Sequence, residues 1–122
     1  MNNKIATIGV VILILAIAGG IIFLKNNTST FTIKDLPSEE VAKWIGEHSV
    51  LYVQTGCSHC KDQEDLFGSS IKYLHIIDCL EEENRQKCID EGIESIPTWI
   101  INNQKYVGVQ SIEKLKELTG YQ

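Results

Sequence analysis

Cys57-Ser58-His59-Cys60 is the stretch from which the fold of this chain can be read. An apolar run with strand character, Val50 to Val53, precedes it, and an amphipathic segment, Lys61 to Phe67, follows it. The N-terminus of a helix carries partial positive charge, which favours the thiolate of a cysteine on its first turn. The Cys57 thiolate would be the nucleophile in thiol–disulfide exchange, and Cys60 is close enough to resolve a mixed disulfide. The motif favours a redox dithiol, with a zinc site or a purely structural disulfide as alternatives.

Length, charge and cysteine content limit the class of protein. The chain has 122 residues, a net charge of -5 and four cysteines. Once an apolar N-terminal segment is set aside, about ninety residues remain, enough for one domain with a single modest core. The acidic balance and the mixing of acidic with basic residues argue against nucleic-acid binding. Four cysteines in so short a domain indicate an oxidising compartment or a metal site.

The N-terminal segment predicts a membrane anchor. Residues 5–24 contain no charged side chain, and about twenty residues at helical rise span roughly 30 Å, the hydrocarbon thickness of a bilayer. A cleaved signal peptide is the alternative, with Lys4 as its basic region and Ala16-Ile17-Ala18 as its cleavage site. The apolar run continues past that site, which favours an uncleaved anchor over residues 1–25. Both interpretations export the rest of the chain, in agreement with its cysteine content.

The remaining residues predict a short polar tether (26–30) and one α/β domain (31–122). The predicted order is helix, strand, dithiol helix, strand, helix, strand, hairpin strand and helix. A strand–helix–strand unit requires a parallel crossover, and the late hairpin adds an antiparallel edge, so a small sandwich with a mixed sheet is expected. The predicted bounds are a possible edge strand at 31–33, a helix from 38 to about 47, strands at 50–54, 73–77, 98–101 and 105–109, a dithiol helix reaching 67, a helix at 81–91 and a last helix capped by Ser111.

With these elements in place, the sequence resembles the thioredoxin superfamily over about residues 30–122. The resemblance rests on the Cys57–Cys60 motif at a strand–helix junction and on Ile96-Pro97-Thr98 about forty residues later. It implies a thioredoxin-like sandwich, a mixed central sheet flanked by helices, here preceded by the predicted transmembrane helix. It also implies that Pro97 is cis and faces the dithiol, and that the backbone of Ile96 pairs with an extended substrate chain.

A closer similarity is to the thioredoxin-like domain associated with bacterial and archaeal vitamin K epoxide reductase homologues. Cys60 to Gly68, Ile96 to Asn103, Gly108 to Ser111 and the closing Gly120-Tyr121 carry this similarity. Those domains exchange disulfides with exported proteins and are recharged by a quinone-linked membrane helical bundle, which one apolar segment cannot form. The similarity therefore implies a stand-alone, membrane-tethered version. Its substrates would be thiol-containing exported proteins, and its partner a separate vitamin K epoxide reductase-like membrane oxidoreductase.

Three positions depart from the family pattern. Gly56 stands where an aromatic residue is common, and Ser58 stands where proline is common between the cysteines. Ser58 adds a backbone N–H and loosens the loop, so the reduction potential is not transferable from the family. Leu51 replaces a buried acid that aids reduction in thioredoxins proper, which weakens the interpretation as a thioredoxin-type reductant.

The other candidate site residues are His59 and a second cysteine pair. His59 is expected to favour the Cys57 thiolate and so to raise the reduction potential. Cys79 and Cys88 could form a structural disulfide, relay electrons to the first pair, or join it in a four-cysteine zinc site, although their spacing matches zinc ribbons poorly. The similar domains carry an extra cysteine pair after the same strand, which supports the structural disulfide, and no metal is expected.

The leading hypothesis is a membrane-anchored protein-disulfide oxidoreductase, an enzyme that acts mainly as an oxidant. Single-pass insertion through residues 5–24 would place the catalytic domain on the extracytoplasmic side of the cell membrane. The chain has no glycine-rich nucleotide loop and no haem signature, so no cofactor is expected. The alternatives are a tethered thioredoxin-like reductase for cytochrome maturation or disulfide repair, and a non-enzymatic adaptor or metal-binding module.

Overall fold

The computed structural model describes residues 36–122 of the chain. The predicted anchor (1–25), the tether (26–30) and the possible edge strand at 31–33 lie outside the described residues. Within 36–122, no helix combines the length and the apolar character needed to cross a bilayer. The elements, in order, are α1 (Glu39–His48), β1 (Ser49–Val53), α2 (Ser58–Asp65), a 3-10 helix (Gly68–Tyr73), β2 (Ile76–Asp78), α3 (Glu82–Asp90), β3 (Thr98–Ile101), β4 (Gln104–Val107) and α4 (Ile112–Thr119).

The four strands form one mixed sheet in the order β2-β1-β3-β4. β1 and β2 are parallel, with Val53 opposite Asp78. β3 is antiparallel both to β1, with Tyr52 opposite Thr98, and to β4. The parallel crossover through α2 and the late antiparallel hairpin are the connections expected from the sequence. This α/β arrangement is that of a thioredoxin-like sandwich, as predicted for the domain.

Helices cover both faces of the sheet, and the alternation of β1 determines which side chains each face receives. Leu51 and Val53 enter the larger core together with Trp99 of β3. Tyr52 points to the other face, where it packs with Cys88 of α3. The buried side chains from α1, α2 and α4 that complete the larger core are Val41, Ala42, Ile45, Cys60, Ile112 and Leu115. The helix that begins with the dithiol is therefore fixed to the sheet by one of the two cysteines.

The dithiol helix is shorter than predicted. α2 ends at Asp65, two residues before the expected end, and the chain then turns through Gly68, whose φ is 51°. Leu36 lies 3.1 Å from the position that a Cβ atom on Gly68 would take, so a larger residue would be crowded as well as strained there. The 3-10 helix begins at Gly68 itself and ends at Tyr73. As a result, β2 begins at Ile76, three residues later than predicted.

The hairpin between β3 and β4 forms where the sequence predicts it. Asn102 and Asn103 both have positive φ, 51° and 61°, the conformation that a two-residue hairpin turn requires. β4 ends two residues earlier than predicted, at Val107, because Gly108 turns the chain with a φ of 90°. The N–H of Gly108 donates to the carbonyl of Pro97 at 2.8 Å, which closes this end of the hairpin.

The predicted caps of the first and last helices are confirmed. The hydroxyl of Ser38 accepts a hydrogen bond from the N–H of Val41 at 3.3 Å, and that of Ser111 accepts one from Lys114 at 3.2 Å. Each bond satisfies a backbone donor that the first turn of a helix leaves unpaired. Gly120 ends α4 in the left-handed conformation, with a φ of 72°.

Candidate redox site

The dithiol lies at the carboxyl end of β1, on the first turn of α2. Cys57 is the N-cap of this helix, and its Sγ atom accepts a hydrogen bond from the N–H of Cys60 at 3.2 Å. The N–H of Cys57 donates to the carbonyl of Gln54 at 3.1 Å, which closes the turn that leads from the strand into the helix. A hydrogen bond to sulfur is stronger when the sulfur carries negative charge, and this N–H points at the sulfur that takes up negative charge when a mixed disulfide is cleaved.

The two sulfurs have different environments. Both cysteines are free thiols, but Cys57 is half-buried whereas Cys60 is only 2% exposed. Burial, followed by the hydrogen bond with Cys57, raises the pKa of the Cys60 thiol to about 11. A smaller contribution to this rise comes from the charge of Glu64, one turn further along the helix. Cys57 is thus the sulfur that a substrate can reach, and Cys60 is the sequestered partner.

A cleft of about 240 Å³ opens beside the dithiol. Asp78, at the end of β2, closes one side of this cleft and accepts hydrogen bonds from the N–H of Thr55 at 3.0 Å and from its hydroxyl. The N–H of Leu80 donates to the other oxygen of the same carboxylate at 2.9 Å. These bonds, that of the Thr55 hydroxyl first, lower the pKa of Asp78. The cleft is lined by Val53, Gln54, Thr55, Gly56, Cys57, Cys60, Lys61, Glu64 and Asp78.

His59 does not line this cleft. Its side chain is exposed, and its Nδ1 atom lies 3.4 Å from a carboxylate oxygen of Asp62, one turn along the same helix. The imidazole thus faces the Asp62 carboxylate rather than the Cys57 sulfur. The predicted effect of His59 on the reduction potential stays a prediction.

Ile96 and Pro97 lie at the end of the sheet where β1 finishes, directly before β3 begins. Because β1 and β3 are antiparallel and Tyr52 pairs with Thr98, the residue before Thr98 lies beside the end of β1, from which the dithiol turn departs. The Ile96-Pro97 peptide bond is cis, and Pro97 is fully buried. Ile96 is half-buried against the larger core. The sheet thus places this loop at the same end as the dithiol, and the contact of Ile96 and Pro97 with substrate stays a prediction.

Cys79 and Cys88 are joined by a disulfide, with an S–S distance of 2.03 Å and a Cα–Cα distance of 5.9 Å. The bond ties the end of β2 to α3, and the N–H of Cys79 donates to the carbonyl of Val53 at 2.9 Å. Two sulfurs bonded to each other are not available as thiolate ligands, so a four-cysteine zinc site does not fit this state of the chain. Over residues 36–122, no three His, Cys, Asp or Glu side chains cluster as metal ligands would.

One residue of the site, Gln63, was missed by sequence reasoning. Its side chain is fully buried on α2, three residues after Cys60. The amide oxygen accepts hydrogen bonds from the indole N–H of Trp99 at 3.0 Å and from the N–H of Gln110 at 2.6 Å. The sequence offers one signal, because Gln63 shares the spacing of one helical face with the apolar residues Cys60 and Phe67.

No protein-family model matches the chain. It is 33% identical over 78 residues to the thiol-disulfide oxidoreductase LTO1 of Arabidopsis thaliana, an alignment that covers 58% of this chain and 21% of LTO1. The chain thus spans about a fifth of the length of that relative. Among solved structures, the crystal structure of the glutaredoxin grx-1 from Archaeoglobus fulgidus matches with 28% identity and a TM-score of 0.44. That match covers 58% of this chain and 84% of the glutaredoxin.

Proposed function

We propose that this chain is a thiol–disulfide oxidoreductase that exchanges disulfides with exported proteins through Cys57 and Cys60. The observation that carries the proposal is the asymmetry of the dithiol, in which a reachable Cys57 sulfur accepts the N–H of a buried Cys60. Nucleophilic exchange needs one accessible sulfur and one adjacent sulfur that can displace it. The similarity to a thiol-disulfide oxidoreductase over 58% of the chain supports the same chemistry.

The oxidant reaction begins from the Cys57–Cys60 disulfide. A substrate thiolate attacks the Cys57 sulfur, a mixed disulfide forms, and Cys60 leaves as a thiolate that takes up a proton. A second substrate thiolate then attacks the substrate sulfur of the mixed disulfide and releases Cys57 as a thiolate. The substrate loses two electrons and gains a disulfide, while the enzyme gains two electrons and becomes the dithiol. The reductase direction is the same sequence in reverse, in which Cys60 resolves the mixed disulfide.

The proposal places this reaction outside the cytoplasm, with residues 5–24 as a single-pass membrane anchor. The uncharged length of that segment supports the anchor. The Cys79–Cys88 disulfide supports an oxidising compartment, since disulfides persist in exported proteins and are rare in reducing ones. Thiol-containing exported proteins are the proposed substrates.

The proposed recharging partner is a vitamin K epoxide reductase-like quinone oxidoreductase in the same membrane. An oxidant that turns over must pass two electrons onward after each cycle. The tether at 26–30 is short, so an anchored domain would sample only a shallow layer above the bilayer. That restriction suits a membrane-embedded electron acceptor better than a soluble one. The resemblance of the dithiol helix and the Ile96–Asn103 segment to domains served by such enzymes supports the same choice.

Single-cysteine variants test the exchange itself. Cys57→Ala should abolish oxidation of a reduced substrate protein, because the reachable sulfur is gone. Cys60→Ala should attack but not resolve, and should therefore accumulate mixed disulfides visible on non-reducing gels. The Cys79→Ala/Cys88→Ala double variant is the matched control, since it removes two cysteines and keeps the dithiol. Oxidation of substrate by Cys57→Ala at the parental rate would overturn the proposed function.

The reduction potential of the Cys57–Cys60 pair decides whether the protein oxidises or reduces its substrates. A value well above the roughly −270 mV of cytosolic thioredoxin supports the oxidant, and a value near it supports the alternative, a tethered reductase. A Cys57–Cys60 disulfide that resists mild reductant would instead indicate a non-enzymatic adaptor.

The membrane partner has its own test. Cys60→Ala in intact membranes should trap the quinone oxidoreductase as a mixed disulfide with Cys57. Removal of residues 1–25 should slow turnover, because the dithiol would leave the membrane surface. Recovery of soluble proteins alone, together with unchanged turnover after removal of the anchor, would overturn this part of the proposal.

A further inference from the structure

Gln63 is a fully buried polar side chain on the helix that carries the dithiol, and all of its hydrogen bonds leave that helix. Its amide oxygen accepts from Trp99 of β3 at 3.0 Å and from the N–H of Gln110 at 2.6 Å. Its amide nitrogen donates to the carbonyl of Gln110 at 3.1 Å. A buried amide that is satisfied in both its donor and its acceptor capacity fixes the position of its neighbours more narrowly than an apolar contact does.

The segment held by Gln63 is itself bonded to the loop that contains Pro97. The N–H of Gly108 donates to the carbonyl of Pro97 at 2.8 Å. The side chain of Gln110 donates to the carbonyls of Val107 and Gly108, at 3.2 and 3.3 Å, which stiffens the 108–110 segment. A continuous path of hydrogen bonds therefore runs from α2 through Gln63 and Gln110 to Gly108 and Pro97.

We propose that the side-chain amide of Gln63 sets the position of the dithiol relative to the Ile96-Pro97 loop, and so acts as a positioning residue for extended protein substrates. The inference rests on the proposed function and adds to it a residue that determines substrate class. A small thiol compound needs to reach only the Cys57 sulfur. An extended chain that lies along the Ile96 backbone must present its sulfur at a fixed distance from that backbone. The rate of disulfide exchange with such a chain therefore depends on the distance between the Ile96 backbone and the Cys57 sulfur.

The variants are chosen to separate the donor and the acceptor of the Gln63 side-chain amide. Gln63→Met keeps the length of the side chain but cannot donate to Gln110, and its thioether sulfur is only a weak acceptor. Gln63→Glu keeps the acceptor, and in its protonated form it also keeps a donor for the Gln110 carbonyl. Burial raises the pKa of a carboxyl group, so this variant changes from a close mimic of glutamine to a buried anion as the pH rises.

The charged groups around position 63 are few. β3 and the 108–110 segment carry no charged side chain, and the buried titratable group of α2 is the Cys60 thiol. The titratable side chains of α2 that are exposed are His59, Lys61, Asp62 and Asp65, and Glu64 is half-buried. A pH response of Gln63→Glu relative to the parental protein at each pH therefore reports on the introduced carboxyl group.

The experiment compares two reductants of the oxidised protein, dithiothreitol and an extended peptide that carries two cysteines. Gln63→Met should lower kcat/KM for the peptide by about tenfold to a hundredfold, the range expected for a displacement of about 1 Å in a reactive complex. Its rate with dithiothreitol should fall by about threefold or less, because that rate needs only the accessible Cys57 sulfur. Gln63→Glu should approach the parental ratio of the two rates at low pH and depart from it as the pH rises.

Thr119→Val is the matched control for lost stability. Thr119 is buried on α4 and donates its hydroxyl to the carbonyl of Leu115 at 2.7 Å, so its loss weakens the fold without touching the path through Gln63. It should leave the ratio of the two rates at the parental value. A parental ratio in Gln63→Met, or a ratio in Gln63→Glu that does not change with pH, would overturn the inference; if Gln63→Met does not fold, Gln63→Glu decides alone. A parental protein that reacts with neither reductant would refute the proposed function instead.

Discussion

The backbone N–H of Cys60 lies 3.2 Å from the sulfur of Cys57, while the sulfur of Cys60 itself is almost fully buried. One cysteine thus supports the other through its main chain and withholds its own side chain from solvent. The geometry therefore assigns different roles to the two cysteines before any substrate binds. The Cys57 sulfur, which accepts the N–H, is also the sulfur that a substrate can reach.

Alkylation should distinguish the two cysteines. With a pKa of about 11 for Cys60, roughly one Cys60 thiol in a thousand is ionised at about pH 8. Limiting iodoacetamide on the reduced, folded protein should therefore modify Cys57 almost exclusively, as measured by peptide mass spectrometry. In urea, where both cysteines are exposed, the preference should disappear. Equal modification of the two cysteines in the folded protein would contradict the assignment of Cys57 as the reachable nucleophile.

The reduced protein should lose stability at alkaline pH through Cys60. The pKa of this thiol is raised from 9.0 to about 11 in the folded chain, so the favourable contribution is complete below about pH 9. As the pH rises from 9 through 11, the unfolded chain gives up this proton first, and the free energy of unfolding falls. In urea unfolding of the reduced protein, the free energy of unfolding should fall more steeply over this pH range than it does in Cys60→Ala. That variant is the control, because it retains every lysine and tyrosine that also titrates there. If the free energies of unfolding of the parental protein and of Cys60→Ala fell in parallel with pH, the pKa of the Cys60 thiol would not be raised in the folded chain.

The carboxylate of Asp78 should stabilise the turn before the dithiol, and this contribution to stability should depend on pH. Hydrogen bonds from Thr55 first, and then from Leu80, lower the pKa of its carboxyl group. A lowered pKa contributes stability above the unfolded value, and that contribution is lost as the pH falls through the folded value. Asp78→Asn should speed hydrogen exchange of the Thr55 amide and flatten the acid limb of the stability curve. Asp90→Asn, whose carboxylate accepts from the Gln86 side chain, is the control, and unchanged protection of Thr55 in Asp78→Asn would count against this role.

Removal of the second cysteine pair should separate stability from activity. Cys79 and Cys88 are nine residues apart, and closing a loop of about this length contributes roughly 2–3 kcal/mol by chain entropy. Urea unfolding of the Cys79→Ala/Cys88→Ala variant should give a free energy of unfolding lower by about that amount, and the variant should still exchange disulfides through Cys57. Turnover that fails while single exchange events at Cys57 persist would identify the pair as a redox relay.

Local signals in the sequence were sufficient for most of the fold. Ser38 and Ser111 as caps, Asn102-Asn103 as a hairpin turn and residues 98–101 as a strand are all found as predicted. Each of these depends on side-chain chemistry within a few residues of the position concerned. The parallel crossover followed from the order of elements alone.

The parts that sequence reasoning missed depend on contacts between distant segments. The 3-10 helix begins at Gly68, a left-handed glycine that Leu36 packs against, and Gly46 of α1 lies directly against the carbonyl of Tyr73 at its end. Gln63 was overlooked because a polar side chain on an amphipathic helix is ordinarily assigned to the solvent side. Its burial becomes favourable only because Trp99 and Gln110 supply partners from positions far along the chain.

The register of the central strands has a consequence for the order in which the chain is made. Val50 pairs with Ile100, so one edge of β1 has no partner until synthesis has passed residue 101. A nascent chain that has just reached Gly92 already contains the complete dithiol motif but lacks both the Ile96-Pro97 loop and the strand that follows it. During that interval the open edge of β1 can pair with any other extended strand. A translational pause in this window would therefore expose a reactive thiol beside an unpaired strand.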